Sequence, residues 1–314
     1  MKKIVFLSIT LFVFLCAAAP SYAQTQQPCA TAYGGILPDP LPRWLQISVQ
    51  ANDLHTENRF DLLAGQLVRS KLVDGSACPV AGLNTDGSPN ACGLVAAQAE
   101  VLTWQNQYDG QIVAAGQQNS VPPLVMKAVI AVESQFWPGS NWVKGEIGLG
   151  QMTEFGADLL LANQPARYQQ VCRQALRPEA CDLPYLFQPA SNQSMLRGLV
   201  LKSIDATCSS CTGGIDLAKS EHAVDVVAET LAASCVQSGR VISWATGHQP
   251  AERMSYEDFW RFVLANYHSG AGCMFQALQR AGNSTGWSGI AANLSPGCAS
   301  GSVYIRRIEE ALKP

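Results

Sequence analysis

The chain has few charged residues and no excess of basic ones. Only 14% of its 314 residues are Asp, Glu, Lys or Arg, and its formal charge is −3. An average soluble domain carries about 25% charged residues, and a protein that binds nucleic acid needs a basic surface. We therefore expect no nucleic-acid partner. The apolar fraction of 47% is that of a packed fold and excludes a disordered chain.

Long apolar runs are also missing, except for one at the N terminus. Lys2 and Lys3 precede an apolar run from Ile4 to Ala19, and Ser21-Tyr22-Ala23 then places small residues where signal peptidase cleaves. The run is shorter than the roughly 20 residues that span a bilayer. The pattern predicts a signal peptide over residues 1–23, no stable membrane anchor after its removal, and a periplasmic or secreted protein. A retained anchor is the alternative.

Histidine is scarce, whereas cysteine is not. The four histidines are scattered, so the sequence predicts neither a metal site nor a cofactor. Removal of residues 1–23 leaves ten cysteines, an even number that predicts up to five disulfides in an oxidising compartment, with their pairing open. The spacing of Cys208 and Cys211 also occurs in redox and zinc sites, but a single such pair favours a structural disulfide.

Signals for β-strands are sparse, and no internal repeat is visible. Prolines and glycines interrupt the chain up to about residue 90, which indicates a small N-terminal module with one helical stretch. The apolar spacing predicts a mainly α fold. The predicted helical segments are Leu54–Val73, Gly93–Gly116, a helix starting after Val121-Pro122-Pro123, Ser191–Ile204, Ala223–Gln237, Tyr256–Asn266 and Val303–Leu312.

Glu133 follows an almost wholly apolar helical segment, Leu124–Val132. Burial of a carboxylate is costly, and it raises the pKa of the group unless the charge is paired. A carboxylic acid that stays protonated near neutral pH can deliver a proton to a leaving-group oxygen, as the general acid of a glycosidase does. The alternative is an ordinary helix-end acid that faces solvent or pairs with Lys127 or Lys144.

A glycine-rich segment follows Glu133 after a short interval. Gly145, Gly148 and Gly150 permit backbone conformations and close approaches that other residues forbid. Gln151 offers a hydrogen-bond donor and an acceptor to a polar substrate. Glu146 lies on the same loop, where it serves either as a second catalytic acid, as a solvated acid or as a substrate-binding group.

Together these residues resemble the lytic transglycosylases, lysozyme-like enzymes that cleave bacterial peptidoglycan, in their soluble-type or goose-type branch. The matching positions of the first block are Glu133, Ser134, Phe136, Pro138, Gly145, Gly148, Leu149 and Gln151. A second block matches Pro189, Asn192 and Gly198, and a third matches the segment 266–272 loosely. Glu146, Gly150 and His268 depart from the usual Ala, Met and Asn, and His268 puts the role of that Asn in doubt.

The resemblance covers roughly residues 93–278 and implies a lysozyme-like catalytic domain with a small disulfide-linked N-terminal extension. It divides the chain into a signal peptide (1–23), an N-terminal module (24–92), a transglycosylase domain (93–290) and a C-terminal tail and helix (291–314). The implied reaction cleaves the bond between N-acetylmuramic acid and N-acetylglucosamine and forms a 1,6-anhydro ring. Glu133 acts first as acid and then as base, and peptidoglycan glycan strands are the partner.

The remaining site residues have narrower roles. The candidate substrate-binding residues are Ser134, Glu146, Gly148, Gln151 and Tyr267. Ser134 either orients Glu133 or satisfies the helix end, and Tyr267 lines the cleft if the resemblance holds. Hydrolytic glycosidases use two carboxylates, so Glu146 keeps a lysozyme-type or chitinase-type hydrolase open. An inactive glycan-binding domain within an envelope assembly is the other alternative.

Overall fold

A computed structural model describes residues 27–313, so the predicted signal peptide over residues 1–23 lies outside the described residues. The α-helices are α1 (Pro28–Tyr33), α2 (Asp61–Arg69), α3 (Ala91–Asn106), α4 (Asp109–Asn119), α5 (Pro123–Ser134), α6 (Glu154–Asn163), α7 (Pro165–Ala175), α8 (Ala190–Ile204), α9 (Leu217–Thr246), α10 (Pro250–Arg253), α11 (Tyr256–Ser269), α12 (Ala271–Ala281), α13 (Gly286–Ala291) and α14 (Ser300–Ala311). Short 3₁₀ helices cover Arg43–Leu45, Ala51–Leu54, Pro79–Gly82, Pro178–Asp182, Tyr185–Phe187, Thr212–Gly214 and Pro296–Cys298.

The mainly α prediction is confirmed. Over residues 27–313 the only β pairing consists of isolated bridges, two of which, Asn141 with Glu146 and Ile147 with Met152, shape the glycine-rich loop. In the same part of the chain, no helix is both long and apolar enough to cross a membrane.

Side-chain caps explain where several helices begin. Asn90, Thr153, Asp216 and Ser255 each accept a hydrogen bond from a backbone N–H in the first turn of α3, α6, α9 and α11. Such caps satisfy N–H groups that have no partner inside the helix. The Asp216 cap and the left-handed Gly247 make α9 30 residues long, well beyond the predicted Ala223–Gln237.

Helix α9 is the centre of the molecule, since α1, α4, α6, α8, α11 and α12 all pack against it. Helix α5 lies between α4 and α14. The buried side chains form one continuous cluster that begins at Cys29 and ends at Ile308. The division of the chain at residues 92 and 290 remains a prediction, and residues on both sides of each boundary share this core.

All ten cysteines of the described chain form disulfides, which confirms the reading of their even number. The pairs are Cys29–Cys235, Cys78–Cys92, Cys172–Cys181, Cys208–Cys211 and Cys273–Cys298. The first of them joins α1 to the middle of α9 across 206 residues. Closure of so long a loop stabilises a fold by about 5 kcal/mol in the chain-entropy description. This bond fixes the start of the described chain to the central helix.

Candidate active site

Helix α5 positions Glu133. Pro122 and Pro123 start the helix, because proline fits the first helical positions, where no backbone N–H is needed. The next turns are almost fully buried, and they include Val125, Met126 and Ile130. Glu133 lies in the last turn and is half-buried, with its carboxyl at the cleft described below. The helix thus carries a carboxyl group from the core to the floor of an open site.

The chain leaves α5 through two left-handed residues. Gln135 and Phe136 have φ angles of 49° and 65°, a conformation that costs non-glycine residues roughly 1–2 kcal/mol each. The turn is held from the outside. The Leu62 N–H donates to Gln135 Oε1 at 2.8 Å, and Trp104 Nε1–H donates to the Phe136 carbonyl at 2.9 Å. The N-terminal region and α3 therefore fix the turn directly behind Glu133.

A buried ion pair supports the same turn. Lys127 Nζ lies 2.6 Å from Asp109 Oδ1 and 2.8 Å from Asn106 Oδ1, and 5.6 Å from the centre of the Phe136 ring. Burial lowers the pKa of Lys127 and raises that of Asp109, while each partner opposes the effect on the other. Lys127 is thus paired with Asp109 rather than with Glu133, and Glu133 has no salt bridge in the described part of the chain.

The glycine-rich loop is closed by its two β-bridges. Gly148 has a φ of 69°, and a Cβ there would lie 2.7 Å from the Ile204 carbonyl oxygen. Only glycine allows this combination without strain. Gln151 is also left-handed, with a φ of 45°, and its Nε2–H donates to the Gly148 carbonyl at 2.7 Å. The loop therefore holds its own shape and presents the side chain of Gln151 at the cleft.

A cleft of about 830 Å³ brings four of the six predicted site residues together, namely Glu133, Glu146, Gln151 and Tyr267. Ser134 and Gly148 do not line it. Ser134 is 2% exposed, and its hydroxyl donates to the Ile130 carbonyl at 3.2 Å, so its observed contact is with the helix end. Gly148 is buried beneath the loop. A volume of this size is typical of ligand sites.

Tyr267 and Gly150 fit each other closely. The Tyr267 hydroxyl donates to the Gly150 carbonyl at 2.9 Å. A Cβ at position 150 would lie 2.8 Å from that hydroxyl and 2.7 Å from Val227 Cγ2. The glycine that departs from the motif's usual methionine is therefore the residue that lets the tyrosine approach the loop. Burial raises the pKa of Tyr267, and the charge of Glu133 adds to this effect.

The surroundings of Glu133 set its protonation. Burial is the largest effect and raises its pKa to about 7, the negative charge of Glu146 also raises it, and the Tyr304 hydroxyl and the charge of Arg307 lower it. The ordinary pKa of a glutamic acid is about 4.5. Glu133 therefore keeps its proton over most of the range in which other carboxyls are charged.

Tyr304 and Arg307 were not predicted as site residues. Both belong to α14, which lies outside the resemblance. Tyr304 is 2% exposed, and its hydroxyl approaches Glu133 without reaching ordinary hydrogen-bond geometry to any of residues 27–313. The His268 ring stacks on Tyr304, with centroids 4.3 Å apart and planes 8° apart. The spacing of Tyr304, Ile305 and Ile308 indicates a buried helix face, but nothing in the sequence shows that this face meets Glu133.

The cleft also contains two exposed aromatic residues that were not predicted from the sequence. Phe155 and Trp244 line it and are 84% and 77% exposed. Trp142, which stands closer to the motif, lies outside the cleft lining, and its Nε1–H donates to Asp205 Oδ2 at 2.9 Å. Over residues 27–313 the acidic, histidine and cysteine side chains form no cluster that could hold a metal ion.

Comparison of the chain with known protein families, with curated proteins and with solved structures finds no match.

Proposed function

We propose that this protein is a lytic transglycosylase with a lysozyme-like fold that cleaves the glycan strands of peptidoglycan. One observation carries the proposal: Glu133 lies half-buried at the end of an apolar helix, faces a large cleft, and has a pKa of about 7. A general acid works best when its pKa lies near the working pH. The blocks of sequence around Glu133 and Gln151 select the glycan-cleaving class among the enzymes that use such an acid.

In the first step, protonated Glu133 donates its proton to the glycosidic oxygen between N-acetylmuramic acid and N-acetylglucosamine. The bond from C1 of the muramic acid to that oxygen breaks, and N-acetylglucosamine leaves with a free 4-hydroxyl group. In the second step, the Glu133 carboxylate takes the proton of the muramic 6-hydroxyl while O6 attacks C1. A 1,6-anhydro ring forms, no water is consumed, and Glu133 regains its proton.

The neighbours of Glu133 suit a residue that must both give and take a proton. Burial and the charge of Glu146 favour the protonated form, as the first step requires. The Tyr304 hydroxyl and Arg307 favour the carboxylate, which exists between the steps. Because these effects oppose each other, the pKa of Glu133 lies near neutrality, where the residue can both donate and accept a proton.

A glycoside hydrolase is the second candidate, and one observation favours it. Glu146 lines the same cleft as Glu133, so the site holds two glutamates. Inverting hydrolases use a second carboxylate to activate water on the opposite face of the sugar. In that case Glu146 would be the base, and the product would carry a reducing end formed by water.

Mass spectrometry of the fragments released from purified peptidoglycan tests these proposals. We expect wild-type protein without residues 1–23 to release fragments that end in 1,6-anhydromuramic acid, and Glu133→Gln to release none. If wild-type protein instead releases fragments with reducing ends formed by the addition of water, and Glu146→Gln releases none, the protein is a hydrolase and not a transglycosylase. No release by wild-type protein would favour a glycan-binding domain without activity, for example within an envelope assembly.

The disulfides bear on where the protein works. Five bonds in one chain are typical of an oxidising compartment. We propose that the protein acts in the periplasm or after secretion, where its proposed substrate lies.

A further inference from the structure

A second groove adjoins the cleft. It has a volume of about 440 Å³ and lies between α1 and the C-terminal half of α9. Arg240 and Trp244 line both the groove and the cleft, so the two spaces meet along one face of α9. Residues 240 and 244 are four positions apart and therefore neighbours on the helix surface.

The two helices that form the groove are fastened to each other. The disulfide between Cys29 and Cys235 fastens α1 to α9. Next to it, Gly239 lets the two helices approach so closely that a Cβ at this position would lie 2.8 Å from the Ala32 carbonyl oxygen. A binding surface that is held in place loses little conformational entropy when a ligand arrives.

The groove offers an aromatic face and polar groups, which suit the hydroxyl-rich sugar rings of a glycan strand. Trp244 exposes 77% of its surface in the last turns of α9, which is unusual for the largest apolar side chain. Thr31, Ser243 and Gln249 add hydroxyl and amide groups. Among the described residues that line the groove, Arg240 is the only charged one, and its Nη1–H donates to Asn163 Oδ1 at 3.1 Å.

We propose that this groove is an extension of the cleft that binds further sugar units of the same glycan strand, with the Trp244 indole stacked on the apolar face of a sugar ring. The inference rests on the proposed function, because it assigns the occupant of the groove from that of the cleft. An indole with polar groups around it is well suited to a ring that has an apolar face and a hydroxyl edge. The consequence is a preference for long strands over short fragments.

Binding to glycan chains of different length tests the proposal. The chains are peptidoglycan strands freed of peptide and separated by size, and the protein carries Glu133→Gln so that no chain is cleaved. Isothermal titration calorimetry gives the Kd. We expect dodecasaccharides to bind more tightly than tetrasaccharides. Trp244→Ala should raise the Kd of the dodecasaccharide about tenfold and leave that of the tetrasaccharide within about twofold, since one aromatic contact is worth about that much.

Two further variants make the comparison specific. Trp142→Ala removes another exposed tryptophan, which lines neither the cleft nor the groove. This variant should change neither the Kd of the tetrasaccharide nor that of the dodecasaccharide. Trp244→Tyr keeps an aromatic ring and should restore most of the affinity for the long chain.

The outcomes separate the two proposals. If long chains bind but Trp244→Ala and Trp142→Ala bind them equally well, the groove is not part of the glycan site, while the proposed function stands. If no chain of any length binds, the cleft is not a glycan site, and both proposals fail. If Trp244→Ala weakens the binding of the tetrasaccharide and of the dodecasaccharide equally, Trp244 acts in the cleft alone, and the proposal that the groove extends the cleft is wrong.

Discussion

The Tyr267 hydroxyl donates a hydrogen bond of 2.9 Å to the carbonyl oxygen of Gly150, a residue 117 positions earlier in the chain. This contact joins the last turn of α11 to the glycine-rich loop. It links two of the three sequence blocks on which the proposed function depends, and at position 150 a Cβ would lie only 2.8 Å from the Tyr267 hydroxyl.

Gly150→Ala should lower the free energy of unfolding by about 1–3 kcal/mol, because the new methyl group enters space filled by Tyr267 and Val227. Urea denaturation measures the change. Gly110→Ala is the matched control, since Gly110 is exposed in α4 with nothing within 4 Å of its Cβ position. The control should be neutral or stabilising by up to about 1 kcal/mol. If the two substitutions change the free energy of unfolding equally, the protein accommodates a methyl group at position 150, and the close fit of Gly150 and Tyr267 does not matter for stability.

Glu133→Gln should stabilise the protein at neutral and higher pH. In the unfolded chain Glu133 has a pKa of about 4.5, and in the folded protein about 7. Wild-type protein therefore loses stability as the pH rises between these values, because the unfolded state releases the proton first. Glutamine does not titrate, so the variant should exceed wild type by about 3 kcal/mol at pH 8 and by nearly nothing at pH 4.

Urea denaturation across this pH range measures both proteins. A stability difference that does not change with pH would show that Glu133 titrates like an exposed acid. That result would also remove the observation that carries the proposed function.

Glu146→Gln and Tyr304→Phe should shift the alkaline limb of activity in opposite directions. The charge of Glu146 raises the pKa of Glu133, and the Tyr304 hydroxyl lowers it. Because the first step needs protonated Glu133, activity falls as the pH rises above the pKa of Glu133. In plots of kcat/KM against pH, we expect the limb to move to lower pH in Glu146→Gln and to higher pH in Tyr304→Phe. Loss of turnover in Glu146→Gln would favour the hydrolase instead.

Lys127→Met should cost about 3–5 kcal/mol of stability, because it leaves the Asp109 carboxylate buried without its partner. The double variant Lys127→Met with Asp109→Asn should recover most of the loss, since no unpaired charge remains. Thermal and urea unfolding of the two single variants and the double variant complete the cycle. If the double variant is no more stable than the single variants, the loss of stability does not come from an unpaired buried charge.

Replacement of Cys29 and Cys235 by serine should destabilise the protein far more than the same change at Cys208 and Cys211. The first bond closes a loop of 206 residues and the second one of three. The chain-entropy description gives about 5 kcal/mol for the long loop and about 2 kcal/mol for the short one. Urea unfolding under non-reducing conditions measures both. Similar losses would mean that local packing, rather than loop length, determines what each bond contributes.

The features that the sequence predicted are those with local causes. The prolines before α5, the apolar run that buries it and the acid at its end are consecutive, so the helix and the place of Glu133 at its C-terminal end could be expected, whereas the sequence leaves the burial of Glu133 open. The glycines of the loop indicate a tight backbone in the same way. The lysozyme-like assignment rests on the motif blocks and stays a proposal.

The features that escaped prediction depend on distant parts of the chain. Tyr304 reaches Glu133 only because α14 packs on α5. The left-handed turn at Gln135 is held by Leu62, which lies in the helical stretch predicted for the N-terminal module, but the sequence does not show that this stretch meets the end of α5. Helices α6, α7 and α12 were not predicted, although Thr153 and Pro165 mark two of their starts. Trp244 was missed because α9 continues past the predicted end at Gln237.

The bond between Cys29 and Cys235 also has a consequence for how the protein is made. The other four disulfides each join cysteines that are consecutive in the sequence, whereas Cys29 must pass over six cysteines to reach its partner. A chain that enters an oxidising compartment N terminus first presents Cys78 to Cys29 long before Cys235 arrives. In a chain that matures in this way, either Cys29 stays reduced until Cys235 arrives, or a wrong early bond is exchanged for the correct one.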